Sequence, residues 1–413
     1  MDQTPSGERS FARYLSGLDV LALSLGCIIG WGAFVMPGTT FLPVAGPCGT
    51  LIAFAIGGAI MLVIGRNYYR LMRSHPGIGG VYAYTKEVFG RDHAFLSAWF
   101  LCLSYLSLIP QNATALAVMC RALFPNVFGS GWHYAVAGSE VYASELAVSL
   151  AALVSIGLLA ICCKKLLQRI QTIFALLLVL GVVIIAAFAL PRLSPGEILS
   201  SYGSVKANPM LSVMTIIILA PWAFVGFEVV SLETSHFHFP IKKSGRMIVV
   251  AIMLGSFIYC AMSLTAVSAV PEGLAGWQDY LANLDRLKGC ETIPTFYASS
   301  RLMGGAGLWV IAATAVCAVV TSVIGFYRVS ARILANMGED RILARHFKRP
   351  TFCFLFLKGY RSSFRCSEER PCPGWWTSPR WARSSASATP PRRCCAWPGG
   401  TGTGATGSSG PPD

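Results

Sequence analysis

Apolar residues run along this chain in long blocks, without the alternation of a half-buried strand or the three-to-four-residue rhythm of a surface helix. Eight blocks approach the roughly 20 residues that a helix needs to cross the hydrocarbon of a bilayer. They are Leu18–Pro37, Pro47–Gly65, Phe95–Met119, Leu146–Cys163, Ile173–Leu190, Met210–Leu232, Met247–Val270 and Leu308–Phe326. The pattern predicts an all-α, polytopic membrane bundle, with no cleavable signal peptide expected ahead of it.

Two blocks carry residues that oppose a helix. The first contains GCIIGWGAFVMPG, Gly26–Gly38, with Gly26, Gly30 and Gly32 around Trp31. The sixth has Pro221-Trp222-Ala223-Phe224-Val225-Gly226-Phe227-Glu228 at its middle. Glycine costs a helix about 1 kcal/mol relative to alanine and proline about 3, so both blocks are weakened near mid-membrane. They stand five blocks apart, the spacing of inverted five-helix repeats whose broken first helices hold a substrate. Gly26 and Gly30 fit a small-xxx-small packing face equally well, and only the pairing with the sixth block favours the site.

Composition agrees with a membrane protein. Of 413 residues 54% are hydrophobic and 13% charged, with a mean hydropathy of +0.57, against roughly 45–50% apolar residues in soluble domains. The net charge of +14 sorts by loop instead of forming a nucleic-acid patch. One set of segments holds Arg9, Arg13, Arg66, Arg70, Arg73, Lys86, Arg91, Lys164, Lys165, Arg169, Lys242, Lys243, Arg246, Arg328, Arg332, Arg341, Arg345, Lys348 and Arg349. The opposite set holds Arg121, Arg192, Lys206, Arg286, Lys288 and Arg301. By the positive-inside rule the amino terminus and each even-to-odd connection are expected in the cytoplasm. Nine of the 14 cysteines lie in or beside apolar blocks, where a thiol behaves as a small hydrophobe, and no zinc spacing or other metal motif occurs. Asn112-Ala113-Thr114 matches a glycosylation sequon, but it falls inside the third block.

Residues 1–349 read as one membrane transporter domain. Residues 350–413 turn to Ser, Pro, Arg, Gly, Trp and Cys without periodicity, a low-complexity tail that cannot bury a core and is expected to be either disordered or the product of a shifted reading frame in a GC-rich gene.

Four stretches resemble the amino acid, polyamine and organocation transporter superfamily. GCIIGWGAF (Gly26–Phe34) is similar to its first-helix pattern G-x-I-I-G-x-G-x-F, and PGIGGVYAYTKEVFG (Pro76–Gly90) resembles its P-x-x-G-G-x-Y-x-Y segment. AFVGFE (Ala223–Glu228) resembles its F-A-F-x-G-F-E core, and SARILANMGEDRIL (Ser330–Leu343) its Arg-rich end of helix eight. The resemblance implies a LeuT-type inverted repeat with about eight of the expected ten to twelve spans. It differs in placing Trp31 where the family usually has a small residue, and ETSHFHFPIKKSGRMI, after the sixth block, matches only loosely.

What the resemblance implies is a secondary carrier, an amino acid permease of the plasma membrane working by alternating access. The carboxylate of an amino acid or related amine would meet N–H groups around Ile29, Gly30, Trp31 and Gly32, and its ammonium the carbonyls near Ala223 and Phe224. Gly226 would keep backbone facing the ligand, Trp222, Phe224 and Phe227 would cover it, and Trp31 would limit its size; each aromatic is equally placed for core packing. Glu228, the one acid well inside the sixth block, is expected to tie the unwound chain, or else to be a proton site. Ala318, Thr321 and Ser322 resemble an A-x-x-T-S sodium arrangement, although isolated hydroxyls in membrane helices mostly bond their own backbone. No cofactor is expected beyond a coupling H⁺ or Na⁺, or an exchanged substrate. Glu145, at the mouth of the fourth block, and His236 and His238 are expected to be solvated. No catalytic triad, thiolate environment or nucleotide loop occurs, which speaks against an enzyme. The alternative is a transport-dead, truncated protein or binding remnant of such a carrier.

Overall fold

In the computed structural model the described residues are 14–75, 79–129, 131–136, 139–200 and 208–348. Pro76–Ile78 of the PGIGG segment and the whole of the 350–413 tail lie outside them.

The helices in chain order are α1 Gly17–Ile28, α2 Gly32–Met36, α3 Leu42–Ser74, α4 Gly80–Phe89, α5 Arg91–Leu123, α6 Pro125–Phe128, α7 Ala143–Cys162 and α8 Lys164–Ala189. They continue with α9 Pro195–Ser200, α10 Pro209–Ala223, α11 Val229–Leu232, α12 Ser244–Val267, α13 Trp277–Ala282, α14 Pro294–Met303 and α15 Gly305–Glu339. One hairpin, β1 His133–Val136 with β2 Ser139–Tyr142, pairs His133 with Tyr142 between α6 and α7. Among the described residues, six stretches are long and apolar enough to cross a membrane: Gly32–Ser74, Arg91–Leu123, Ala143–Cys162, Lys165–Arg192, Ile241–Val267 and Gly305–Glu339. Gly17–Ile28 and Pro209–Ala223 are shorter apolar helices. The first and sixth predicted blocks are therefore short because each is interrupted.

The first block starts behind a capping box, in which Ser16 accepts from Asp19 N–H and Asp19 from Ser16 N–H. Its helix resumes at Gly32, passes through a π turn at Pro37–Phe41 and runs on to Gly46, whose φ of +66° turns the chain into 47–74. A left-handed residue there suits glycine, and Pro47 behind it starts the next span with φ already fixed.

Of the interrupted helices, α1 lies inside the bundle, whereas α10 keeps one face exposed. α1 packs on α8, α12 and α15, while α10 packs on α3. α15 also lies along α5 and α8, which buries most of its length, including Thr321, Ser322, Phe326 and Tyr327. Lipid-facing side chains such as Ile218, Leu180 and Phe100 stay exposed, as expected where the surrounding solvent is hydrocarbon. No disulfide joins any two of the nine described cysteines.

Candidate functional site: two broken helices that meet

Each break follows from local sequence. In the first, Ile29 leaves the helix at φ −102°, ψ 104°, after its N–H closes the last turn onto Leu25 O at 2.8 Å. The next helix begins with two short-range bonds, Ala33 N–H to Gly30 O at 3.3 Å and Phe34 N–H to Trp31 O at 3.0 Å. Trp31 N–H is taken from another element: it donates to Asn112 Oδ1 on α5 at 3.1 Å. In the second break, residues 224–228 form successive turns between α10 and α11. Gly226 there adopts φ +110°, a conformation that residues with a side chain rarely enter.

The breaks converge on each other. The Tyr259 hydroxyl, on α12, donates toward Ile28 O at 3.3 Å and Ala223 O at 3.1 Å, the carbonyls where the two helices end. A Cβ on Gly226 would lie 2.2 Å from Cys27 Cβ, and one on Gly32 3.6 Å from the Trp222 ring. Gly32 is thus brought beside Trp222, Cys27 beside Gly226, and the helix end before Ile29 beside that at Ala223. Trp31 and Trp222 are half-buried, and Trp31 meets Phe296 of α14 edge to face at 5.9 Å. Phe224 and Phe227 are instead fixed in the core, against Phe54 and Tyr259 and against Tyr68. Over α2, Thr295 Oγ1 donates to Phe34 O at 2.7 Å.

Glu228 is buried at 6% exposure. One oxygen accepts from Gly226 N–H at 2.9 Å and the other from the Tyr105 hydroxyl of α5. The carboxylate thereby caps the unwound turn and fastens it to a neighbouring helix. Of the candidate sodium ligands, Thr321 gives its hydroxyl to its own helix, to Cys317 O at 2.8 Å and Ala318 O at 3.0 Å. Ser322 Oγ is buried and has no partner among the described residues.

At the end of the bundle that carries Arg328, a charge cluster closes around Glu233, which is 1% exposed. Arg328 donates to both of its oxygens, at 3.0 and 3.2 Å, and also to Tyr14 and Gln168. Arg332 reaches Glu233 at 3.5 Å and His236 at 2.9 Å. Burial pushes the Glu233 carboxyl up, but Arg328, Arg332 and His236 outweigh it and hold the group down at about 2. The N–H groups of Tyr14 and Leu15 both donate to His236 O, tying the segment before α1 to the segment after α11.

Two expectations are corrected. His236 is buried at 8% exposure within this cluster, whereas His238 is exposed. Glu145 is also buried, at 5%; it accepts from Tyr142 N–H at 3.0 Å and pairs with Arg121 of α5 at 3.2 Å. A helix start and a cation from the preceding span satisfy it where water was expected.

Of the residues that position the breaks, Tyr105 and Tyr259 are not singled out by the sequence pattern, and Asn112 only as part of a sequon. Each is a polar group within a mainly apolar block, and at that depth a polar group needs a partner.

A family model described as amino acid permease matches residues 15–355. The chain is similar to the methylthioribose transporter of Bacillus subtilis (strain 168), 24% identical over 357 residues covering 84% of this chain and 72% of that protein. It is 27% identical to the branched-chain amino acid permease BcaP of the same organism, over 64% of this chain and 57% of the permease. It is 24% identical to the chloroplastic cationic amino acid transporter 9 of Arabidopsis thaliana, over 84% of this chain. The chain spans 58% of that plant protein, so just over half of this relative and of BcaP. Among solved structures, a Na⁺-coupled sialic acid symporter in a substrate-bound, outward-open state matches with a TM-score of 0.59 at 13% identity, over 85% of this chain and 72% of that one. That likeness shows a LeuT-type fold.

Proposed function

Because the chain belongs to the amino acid permease family, a multi-pass family of membrane transporters and not of enzymes, we propose that it carries an amino acid or a closely related amine across the plasma membrane by alternating access. The observation that supports this most is the meeting of two mid-span breaks at one hydroxyl, that of Tyr259. Unwinding frees backbone donors from one helix start and backbone acceptors from two helix ends, which is the complement of a zwitterion. The carboxylate would bind at the N–H groups of the 29–32 segment. The ammonium would bind at carbonyls around Ala223 and Phe224, each of which keeps a second lone pair.

Trp31 and Trp222 flank that space and would set the size of side chain accepted. Phe224 and Phe227 would hold the unwound turn from behind, and Glu228 would keep it tied to α5. The Glu233 cluster would close the cytoplasmic mouth, with the amino terminus on that side as the loop charges imply. Coupling to H⁺, to Na⁺ at Ala318, Thr321 and Ser322, or to a counter-substrate would be decided in the same assay. Purified protein is reconstituted into liposomes and uptake of the 20 common amino acids is measured with and without proton and sodium gradients. Saturable uptake that Gly226→Leu abolishes is the expected result. Liposomes that bind but never accumulate any of them would favour the transport-dead alternative.

A further inference from the structure

The amide that the substrate's carboxylate would need most is already in use. Trp31 N–H, at the start of the resumed helix, donates to Asn112 Oδ1 at 3.1 Å, while Asn112 Nδ2 donates to Leu108 O of its own helix at 2.9 Å. Both ends of this side chain are thus fixed, and only 6% of the residue is exposed. Gly30 makes room for it, since a Cβ there would fall 2.5 Å from Asn112 Oδ1. The same Cβ would fall 3.3 Å from Ser322 Oγ of α15. That hydroxyl is fully buried and has no hydrogen-bond partner among the described residues. Gly30 thus lies beside both an acceptor in use and a donor that is idle.

We infer that Asn112 is a neutral stand-in for the substrate's carboxylate, and so a positioning residue that only a ligand carrying one releases. The inference rests on the carrier reading above. A buried N–H left bare is costly, so the empty site needs an acceptor at Trp31. An amide oxygen supplies it without a charge. A carboxylate makes the stronger, charge-assisted bond and displaces it. The released Asn112 Oδ1 then has the idle Ser322 hydroxyl to accept from, across Gly30. A ligand without a carboxylate cannot displace the amide and leaves α5 fastened to the break. Arrival of an amino acid would thereby free helix α5 from the break in the first span.

The test compares each of the 20 common L-amino acids with its decarboxylated amine. Binding to the purified full chain is measured by thermal shift and calorimetry for wild type, Asn112→Ala and Asn112→Asp. Removing the competitor should tighten amino acid binding by about three- to tenfold in Asn112→Ala, the size of one net hydrogen bond, and leave the amine unchanged. Asn112→Asp places a charged competitor at the same N–H and should weaken amino acid binding at least about tenfold while sparing the amine. If the wild type binds amino acids but Asn112→Ala weakens or does not change that binding, the stand-in role is overturned while the carrier reading stands. If both variants lose amino acid and amine alike, Asn112 serves packing alone and the inference falls. If the wild type binds no amino acid, the carrier reading fails and takes the inference with it.

Discussion

Gly226 sits where no other residue fits without distortion. Its φ is +110°, and a Cβ would approach that of Cys27 to 2.2 Å. Strain and overpacking each cost about 1–3 kcal/mol, so Gly226→Ala should lose at least about 2 kcal/mol. Thermal unfolding in detergent reads this, and a loss within error would mean that the turn relaxes freely. Tyr259 works through a single atom. Tyr259→Phe keeps the ring stacked on Phe54 at 4.9 Å and removes only the donor shared by Ile28 O and Ala223 O. The expected loss is about 1–2 kcal/mol in stability, accompanied by weaker ligand binding, because the two helix ends are then no longer held together. A variant that binds as tightly as wild type would show that the hydroxyl does not set the spacing of the breaks.

At the scale of elements, both breaks could be located from sequence because glycine and proline act locally, through costs that do not depend on what lies nearby. Their meeting could not, since it depends on Tyr259 of α12, Asn112 and Tyr105 of α5 and Cys27 of α1, which are far apart in the chain. The same limit explains Glu145. Read alone it is an acid at a helix mouth, and only the placement of Arg121 beside it shows a buried pair. The amphipathic α4 and the β1–β2 hairpin escaped the apolar-block pattern because neither is long or apolar enough to span. For Glu228 the tie to Gly226 N–H and Tyr105 makes a distinct prediction. Glu228→Gln keeps an acceptor and should retain uptake with its pH profile unchanged, whereas Glu228→Ala should abolish binding. A Glu228→Gln variant whose uptake loses its dependence on pH would reassign the residue as a proton site.

For the whole molecule, charge ties several elements together at one end. Glu233, just beyond the sixth span, joins the segment before α1, α8 and α15 through Arg328, Arg332, Tyr14 and Gln168. Its carboxyl is held at about 2, against an ordinary value of 4.5. A depressed acid stabilises the fold fully above its unfolded value and ceases to do so as pH falls through the folded one. Glu233→Gln should therefore cost about 3 kcal/mol near pH 7, where it leaves two partly buried guanidinium groups without their anion. The gap between variant and wild type should close as pH is lowered from about 4.5 toward 2. A gap that stays constant across that window would mean that the cluster contributes through packing and not through charge.

If the two breaks form one substrate site, a structure determined with the amino acid that gives the largest thermal shift will show it directly. The ligand should lie between the 29–32 segment and residues 222–226, its carboxylate within about 3 Å of the Trp31 or Gly32 N–H and its ammonium at the carbonyls that end α10. A ligand found elsewhere, with Trp31 still bonded to Asn112 and Tyr259 still bridging Ile28 and Ala223, would contradict that site.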